Sequence, residues 1–301
     1  MADIRFDGRV VIVTGAGGGL GRDHALEFAR RGAAVVVNDL GGAVDGNGGS
    51  SAAADVVVGE ITEAGGRAIA HGGSITDDRG VAALVEHTLT AFGRVDVLVA
   101  NAGILRDKTF AKMELSEFEA VLDVHLLGTV KPLKAVWPLM REQGYGRVVV
   151  TTSSSGLYGN FGQANYGAAK LALVGLMNTL RLEGARDNVR INAISPIAAT
   201  RMTASLMPQP VLDVLKPDCV TPGVVYLASE GAPNGVILTA GAGAFAMARI
   251  YETEGVALDR GSLSAEAVRD AWDQISDEAG QQAYAAGPEQ TQKFLRKLSG
   301  G

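Results

Sequence analysis

The chain's 301 residues are 47% hydrophobic and 20% charged, enough apolar material for one sizeable buried core. A formal net charge of −6 argues against nucleic acid or an anionic membrane as a main partner, and no apolar run approaches the length of a membrane span. The single cysteine, Cys219, cannot make an internal disulfide, which predicts a reducing, cytoplasmic setting.

Arg9 to Thr14 is dominated by β-branched residues, as suits a strand buried on both faces of a parallel sheet. It runs into Thr14-Gly15-Ala-Gly-Gly-Gly19-Leu20-Gly21, and a helix is predicted over His24 to Arg31. A strand, a Gly-rich turn and a helix N-terminus make a pyrophosphate cradle, because glycines let the backbone approach the phosphates and the helix end favours negative charge. A second strand, Ala33 to Asn38, ends in Asp39, where the adenosine ribose of a dinucleotide would lie. A carboxylate there accepts bonds from both ribose hydroxyls and repels a 2′-phosphate. No Arg stands between Gly15 and Gly21 to neutralise such a phosphate, so NAD rather than NADP is the predicted cofactor.

Gly41 to Ser51 is a polar loop, followed by a helix from about Ser51 to Ala64 and a third strand, Arg67 to His71. Ser74 and Ile75 fall at that strand's end, positioned to flank the adenine. Asp78 to Phe92 is predicted helical and Val95 to Ala100 is a fourth strand, after which Asn101-Ala102-Gly103 turns beneath the nicotinamide side. Ser116 to Glu142 reads as one helix, kinked or broken at Pro132 or Pro138. Arg147 to Thr152 is a fifth strand delivering Ser153.

Tyr166 and Lys170 lie one turn apart on a helix predicted to reach about Arg186, so their side chains share a face. A phenol titrates near ~10, and an ammonium one turn away is expected to favour the phenolate. With Ser153 presenting a hydroxyl to the same substrate oxygen, the three read as acid–base chemistry on a carbonyl or alcohol. A Tyr–Lys pair also occurs on ordinary surface helices; here the upstream cradle supplies a hydride acceptor. The same helix carries Leu171, Leu173, Val174, Leu176, Met177, Leu180 and Leu182. That is apolar on nearly all sides, which predicts cover from a second copy, in a homodimer or dimer-based tetramer.

Val189 to Ser195 is a sixth strand. An irregular Met-rich segment, Pro196 to Pro217, offers an adaptable substrate lid, and a short helix over Val220 to Ser229 precedes a seventh strand, Gly235 to Ala240. Alternating strands and helices predict an α/β, Rossmann-like doubly wound parallel sheet of about seven strands. A catalytic domain over 1–243 and an extension over 244–301, packed on the same unit, complete the expectation. In that extension a hairpin about Thr253-Glu254-Gly255, a helix capped by Ser264 and a last helix from Glu289 are predicted.

Thr14-Gly-x-x-x-Gly-x-Gly, Asn101-Ala-Gly, Ser153 and Tyr166-x-x-x-Lys170 stand in one order. In this the chain resembles the short-chain dehydrogenase/reductase family, over roughly residues 6 to 243. The resemblance implies Tyr166 as catalytic acid/base, Lys170 holding the nicotinamide ribose and lowering the tyrosine pKa, and Ser153 orienting the substrate oxygen. Cofactor contacts at Ala198 and Thr200 come with it, and no metal. Three departures stand out. His125 replaces a usual Asn that supports a water-linked proton path to the lysine, which makes His125 a further catalytic candidate. Gly73 replaces an Asp that often faces adenine, and Ile197 rather than Gly follows Pro196, bringing Thr200 one residue closer.

Arg5-Phe-Asp-Gly-Arg, Val37-Asn-Asp-Leu-Gly-Gly, Asn101-Ala-Gly-Ile-Leu-Arg-Asp and Gly159-Asn-Phe-Gly-Gln-Ala-Asn-Tyr are similar to one branch of the family. That branch is the (3R)-hydroxyacyl-CoA dehydrogenase part of peroxisomal multifunctional enzyme type 2, with its free-standing bacterial relatives, which shares the His at 125. It implies NAD-linked oxidation of a (3R)-hydroxyacyl-CoA to the 3-oxoacyl-CoA by a homodimer. Arg106, Lys108 and Arg201 are candidates to meet the CoA phosphates. The alternatives are a steroid or sterol-side-chain hydroxyl dehydrogenase and a 3-oxoacyl carrier protein reductase, which normally uses NADPH and is opposed by Asp39. A dinucleotide-sensing protein without catalysis is opposed by the retention of Ser153, Tyr166 and Lys170.

Overall fold

The computed structural model describes residues 3–42, 52–199 and 208–298. The chain divides into two compact units, Met1–Met247 and Ala248–Gly301. The first is an eight-stranded sheet in the order β3-β2-β1-β4-β5-β6-β7-β8. The strands are β1 (Val10–Thr14), β2 (Ala34–Asn38), β3 (Arg67–His71), β4 (Val97–Ala100), β5 (Gly146–Thr151), β6 (Val189–Ile197), β7 (Ile237–Gly241) and β8 (Ala244–Ala248). β1 to β7 pair in parallel. Every residue of β1, β2, β4 and β5 is buried, which is why these strands read as unbroken apolar runs rather than alternating ones.

The order reverses between β1 and β4, and the loops leaving these two strands part there to open a crevice at the strands' carboxyl ends. The helix after the Gly-rich turn, α1 (Gly19–Arg30), begins earlier than the sequence predicts, within the turn itself. The reason is packing. A Cβ on Gly21 would stand 2.2 Å from the Gly15 carbonyl oxygen, so only glycine lets the first turn of α1 close onto β1.

α2 (Ala52–Glu63) and α3 (Asp78–Phe92) follow as predicted, the latter capped by Asp77, which accepts from the Gly80 N–H at 2.8 Å. The long helix predicted next is divided into α4 (Leu115–Leu122), a π-turn over Asp123–Leu127 and α5 (Gly128–Glu142). Both prolines lie inside α5, contrary to the expected break. Pro132 withdraws the N–H that would have reached Gly128, and the widened turn ends at that residue, one turn before the proline. α6 (Ser154–Tyr158) and α7 (Ala164–Glu183) carry the segment after β5. α8 (Gln209–Val214) and α9 (Thr221–Leu227) precede β7.

α7 is less bare than its composition implies. Ala169, Leu173, Val174 and Met177 are buried against the sheet, whereas Ala168, Leu171, Gly175 and Leu182 face outward. The outward stripe is therefore small residues flanked by two leucines, each about half exposed.

The predicted hairpin about Thr253 is absent from the described residues. The turn lies instead at Ala242–Gly243, both at positive φ (50° and 77°), the signature of a two-residue connection between antiparallel strands. It makes the first residues of the expected extension an edge strand. In the second unit Glu252 and Gln282 form an isolated antiparallel bridge, Ser264 caps α10 (Ala265–Asp270) through the Ala267 N–H, and α11 (Trp272–Ser276) and α12 (Gly287–Leu298) follow. Lys293, 4% exposed, pairs with Glu252 at 2.8 Å.

Replacing Gly21 by Ala is expected to cost at least about 2 kcal/mol of stability, since the new methyl must displace backbone rather than a flexible side chain. Urea denaturation of the two proteins measures it. An unchanged midpoint would contradict the packing argument.

Candidate active site

The turn leaving β1 and the turn leaving β4 are stitched together. The Thr14 hydroxyl accepts from the Asn101 and Ala102 N–H groups at 3.1 and 3.2 Å, and the Asn101 amide donates to the Thr14 and Gly15 carbonyls at 3.1 Å. Gly15, at φ +64°, would with a Cβ come within 2.6 Å of the Ala102 Cα. Asp39 closes the other side: its carboxylate accepts from the Gly17 N–H at 2.7 Å and the Gly41 N–H at 2.6 Å. A Cβ on Gly17 would stand 2.9 Å from that carboxylate, so position 17 has no room for a cationic side chain.

These turns line one cavity of about 480 Å³, within the range of small-molecule and cofactor sites. Gly15, Gly19, Leu20 and Asp39 form one end, Ser74 and Ile75 the adjoining wall, and Asn101, Ala102 and Gly103 the middle. His125, Ser153, Tyr166, Lys170 and Ala198 line the far end. Gly21 does not line it but lies beneath the turn. Thr200 and Arg201 lie outside the described residues.

At the far end Ser153 leaves β5, caps α6 by accepting from the Ser155 N–H at 3.2 Å, and hydrogen-bonds the Tyr166 phenol. The Lys170 ammonium donates to the Thr151 carbonyl at 2.6 Å and stands 5.6 Å from the Tyr166 ring centroid. The His125 ring, carried on the π-turn, meets the Tyr166 ring edge-on at 5.1 Å. Its Nε2 contacts the Ile104 carbonyl at 2.7 Å, while Nδ1 is buried with no hydrogen-bond partner among the described residues, as is the Thr151 hydroxyl. Gly103 makes room for this ring, since a Cβ there would lie 2.1 Å from Cε1.

The family model for short chain dehydrogenases matches residues 9–210, a span that holds the glycine turn, Asn101, Ser153, Tyr166 and Lys170. The chain is a short-chain dehydrogenase. It is 52% identical over 273 residues to a short-chain type dehydrogenase/reductase of Mycobacterium tuberculosis, covering 90% of this chain and 95% of that one. It is 48% identical to the peroxisomal multifunctional enzyme type 2 of Drosophila melanogaster, over 91% of this chain but only 46% of the relative. The chain thus spans about half of that larger enzyme. The solved full-length structure of the Drosophila enzyme superposes with a TM-score of 0.83 at 39% identity, covering 98% of this chain and 50% of that one. A 7α-hydroxysteroid dehydrogenase solved with NADH and 7-oxo glycochenodeoxycholic acid gives 0.72 at 29% identity, over 81% and 98%.

The electrostatics of this dehydrogenase differ from the expected ammonium–phenolate pairing. Burial raises the Tyr166 phenol above its ordinary value, the Ser153 hydrogen bond pulls it back in part, and Asp107 pushes it up further. Burial presses Lys170 down to about 7. His125 falls well below the imidazole range through burial first and Lys170 second. Low dielectric favours the neutral form of every one of these groups, and the lysine points at a carbonyl rather than at the phenol.

Other groups join the site that the sequence reading passed over. Gln163, 7% exposed, donates to Asp107 at 2.6 Å and accepts from Ser155 at 2.7 Å and Asn160 at 3.0 Å. The Gly159-Asn-Phe-Gly-Gln stretch contained the signal, as amides beside glycines on a loop, but nothing in the spacing pointed to Asp107. Lys108, a proposed phosphate contact, pairs with Glu117 at 2.7 Å.

A buried lysine with a depressed pKa costs stability at neutral pH. From 10.5 unfolded to about 7 folded, the penalty is on the order of 4 kcal/mol at pH 7. The stabilising contribution is complete only above the unfolded value and is lost as pH falls through the folded one. Lys170→Met is therefore expected to raise the unfolding midpoint at pH 7 while abolishing activity, the gain shrinking as pH climbs toward 10. Calorimetry across that range checks it, and a destabilised variant at pH 7 would refute the assignment.

Proposed function

We propose that this short-chain dehydrogenase oxidises a (3R)-hydroxyacyl-CoA to the 3-oxoacyl-CoA with NAD as hydride acceptor. The observation that carries the reading is the arrangement of Ser153, Tyr166 and Lys170 at the end of a cavity whose other end holds Asp39 bonded across to Gly17. The cradle fits the dinucleotide: positive-φ glycines without side chains face the space, and a carboxylate stands where a ribose arrives. NAD, when bound, accepts the hydride from the alcohol carbon.

The chain's residues do the rest. Asp39, backed by two N–H groups, holds the adenosine ribose and leaves no place for a 2′-phosphate. Ser153 donates to the substrate oxygen and Tyr166 takes its proton. Lys170 holds the nicotinamide ribose, and Asn101 fixes the turn below it. His125 Nδ1 and the Thr151 hydroxyl are buried polar atoms free to join a water-linked path for the proton leaving Tyr166. Likeness to the type 2 multifunctional enzyme supports the thioester substrate; likeness to the hydroxysteroid dehydrogenase supports a steroid alcohol as the second reading.

The decisive assay is NADH formation from (3R)- and (3S)-hydroxyacyl-CoA and from a free steroid alcohol, with NAD and with NADP. Turnover of the (3R) thioester with NAD, at least about tenfold above NADP, is expected, and Tyr166→Phe should lose about 10²–10⁴-fold. Activity confined to the steroid or to the (3S) thioester would overturn the substrate assignment. A half-active Tyr166→Phe would remove the phenol from the chemistry.

The same reading includes a homodimer joined through the outward stripe of α7. Small residues between Leu171 and Leu182 permit close helix–helix approach. Leu171→Glu is expected to give monomers in sedimentation without loss of helical content. Leu173 and Met177 are unsuitable targets, since glutamate there would enter the core. A wild-type monomer at micromolar concentration would contradict the dimer.

A further inference from the structure

β3 ends in His71, and three features of this end act together. Asn38, 2% exposed at the end of β2, donates its amide to the His71 carbonyl at 3.0 Å and the Gly73 carbonyl at 2.9 Å. The same amide faces the His71 Nδ1 at 3.2 Å. The Gly73 N–H, which has only a donor role, points to Nδ1 at 3.3 Å. Nδ1 therefore carries a lone pair and the ring proton sits on Nε2. Finally, a Cβ on Gly73 would meet the His71 Cε1 at 2.3 Å, so the imidazole lies directly under the turn and would have to swing aside for any side chain there.

The far side of that turn is the cavity wall. Gly73, Ser74 and Ile75 line the same space as Asp39, one strand further from the nicotinamide end. In a dinucleotide the adenine follows the ribose that a strand-end carboxylate holds, so this wall faces the base. Ser74 is itself closed onto Thr76, hydroxyl to hydroxyl, at 2.9 Å.

We propose that His71 is the positioning residue of the adenine subsite: its neutral imidazole holds the Gly73–Ser74 turn in place through Nδ1, and acid releases the turn and weakens the dinucleotide. The inference rests on the NAD reading above. Protonation would set an Nδ1–H against the Asn38 and Gly73 donors, removing one bond and adding repulsion. No acid among the described residues compensates. β2 contributes the neutral Asn38 amide and the Asp39 backbone N–H, which bonds the His71 carbonyl. α3 contributes His87, its ring 6.2 Å away, the one titratable group among the described residues whose charge reaches His71. Burial first, and His87 second, hold the imidazole below its ordinary range. The contribution to binding is thus complete above about pH 6.5 and is lost as pH falls through the folded value.

The test is calorimetric binding of ADP and of NAD at pH 7.5 and 5.5 to the wild type, His71→Asn and His71→Leu. ADP fills the adenosine half without reaching Lys170, whose own titration would otherwise intrude. Asn offers a carbonyl oxygen near the place of Nδ1 and does not titrate. Wild-type ADP affinity is expected to fall about 2- to 5-fold on acidification, below the roughly 10-fold ceiling that an unshifted imidazole would give, and that of His71→Asn is expected not to change measurably. His71→Leu should bind about 10-fold more weakly at both pH values. If His71→Leu misfolds, the Asn variant decides alone. An identical acid loss in wild type and His71→Asn, no acid loss in the wild type, or unimpaired ADP binding by His71→Leu would each overturn the proposal while leaving the NAD reading standing. Failure of the wild type to bind either nucleotide would overturn both.

Discussion

The site depends on backbone segments packed closer than side chains permit. Gly15 lies on Ala102, Gly21 on the Gly15 carbonyl, and Gly103 on His125, each at a distance that a Cβ would forbid. These contacts let the Thr14 hydroxyl and the Asn101 amide bridge the loops of β1 and β4. Without that bridge the crevice at the reversal of strand order would have two independent lips. With it, the cradle and the floor of the far end form one body, which would hold a dinucleotide and a substrate at a fixed separation.

The same compaction governs the electrostatics. A cavity end walled by buried strands desolvates whatever it holds, so Tyr166, Lys170 and His125 are all driven toward neutrality. A neutral phenol bonded to Ser153 is a ready proton donor for ketone reduction, whereas alcohol oxidation first requires its proton to leave. Oxidation in this site therefore gains with rising pH, and the cavity lining near Tyr166 includes His125, whose Nδ1 has no hydrogen-bond partner among the described residues, and Thr151, whose hydroxyl likewise has none.

Much of this was legible in the sequence because it is local. The β-branched strands, the glycine turn, the Asp39 position and the Tyr166–Lys170 pair follow from runs of a few residues and their spacing. What escaped depends on distant partners. The π-turn at His125 lies one turn before Pro132, so the two prolines of α5 mark the disturbance downstream of where the helix widens. β8 looked like part of an extension because an Ala–Gly turn lacks the usual Asn-Gly signal. Helix spacing places Lys170 beside Tyr166 but does not say where its ammonium points, which in the fold is the Thr151 carbonyl. Leu173 and Leu171 are indistinguishable by composition, and only the sheet decides which is core.

The network around Gln163 bears on the kind of molecule the far end accepts. Asp107 is held by Gln163 at 2.6 Å, and its charge is felt at Tyr166, where it opposes the phenolate. A substrate carrying a free carboxylate two carbons from the reacting alcohol would add a second negative charge beside it, in a low-dielectric space where like charges repel strongly. The nearby cation Lys108 is already engaged with Glu117. A thioester removes that charge at the reacting end and moves the phosphates to the mouth, where solvent screens them. The same carboxylate that makes the phenol harder to ionise thus favours an acyl thioester or an uncharged alcohol over a free hydroxy acid, which leaves the choice between acyl and steroid to the shape of the space beyond Pro196 rather than to charge.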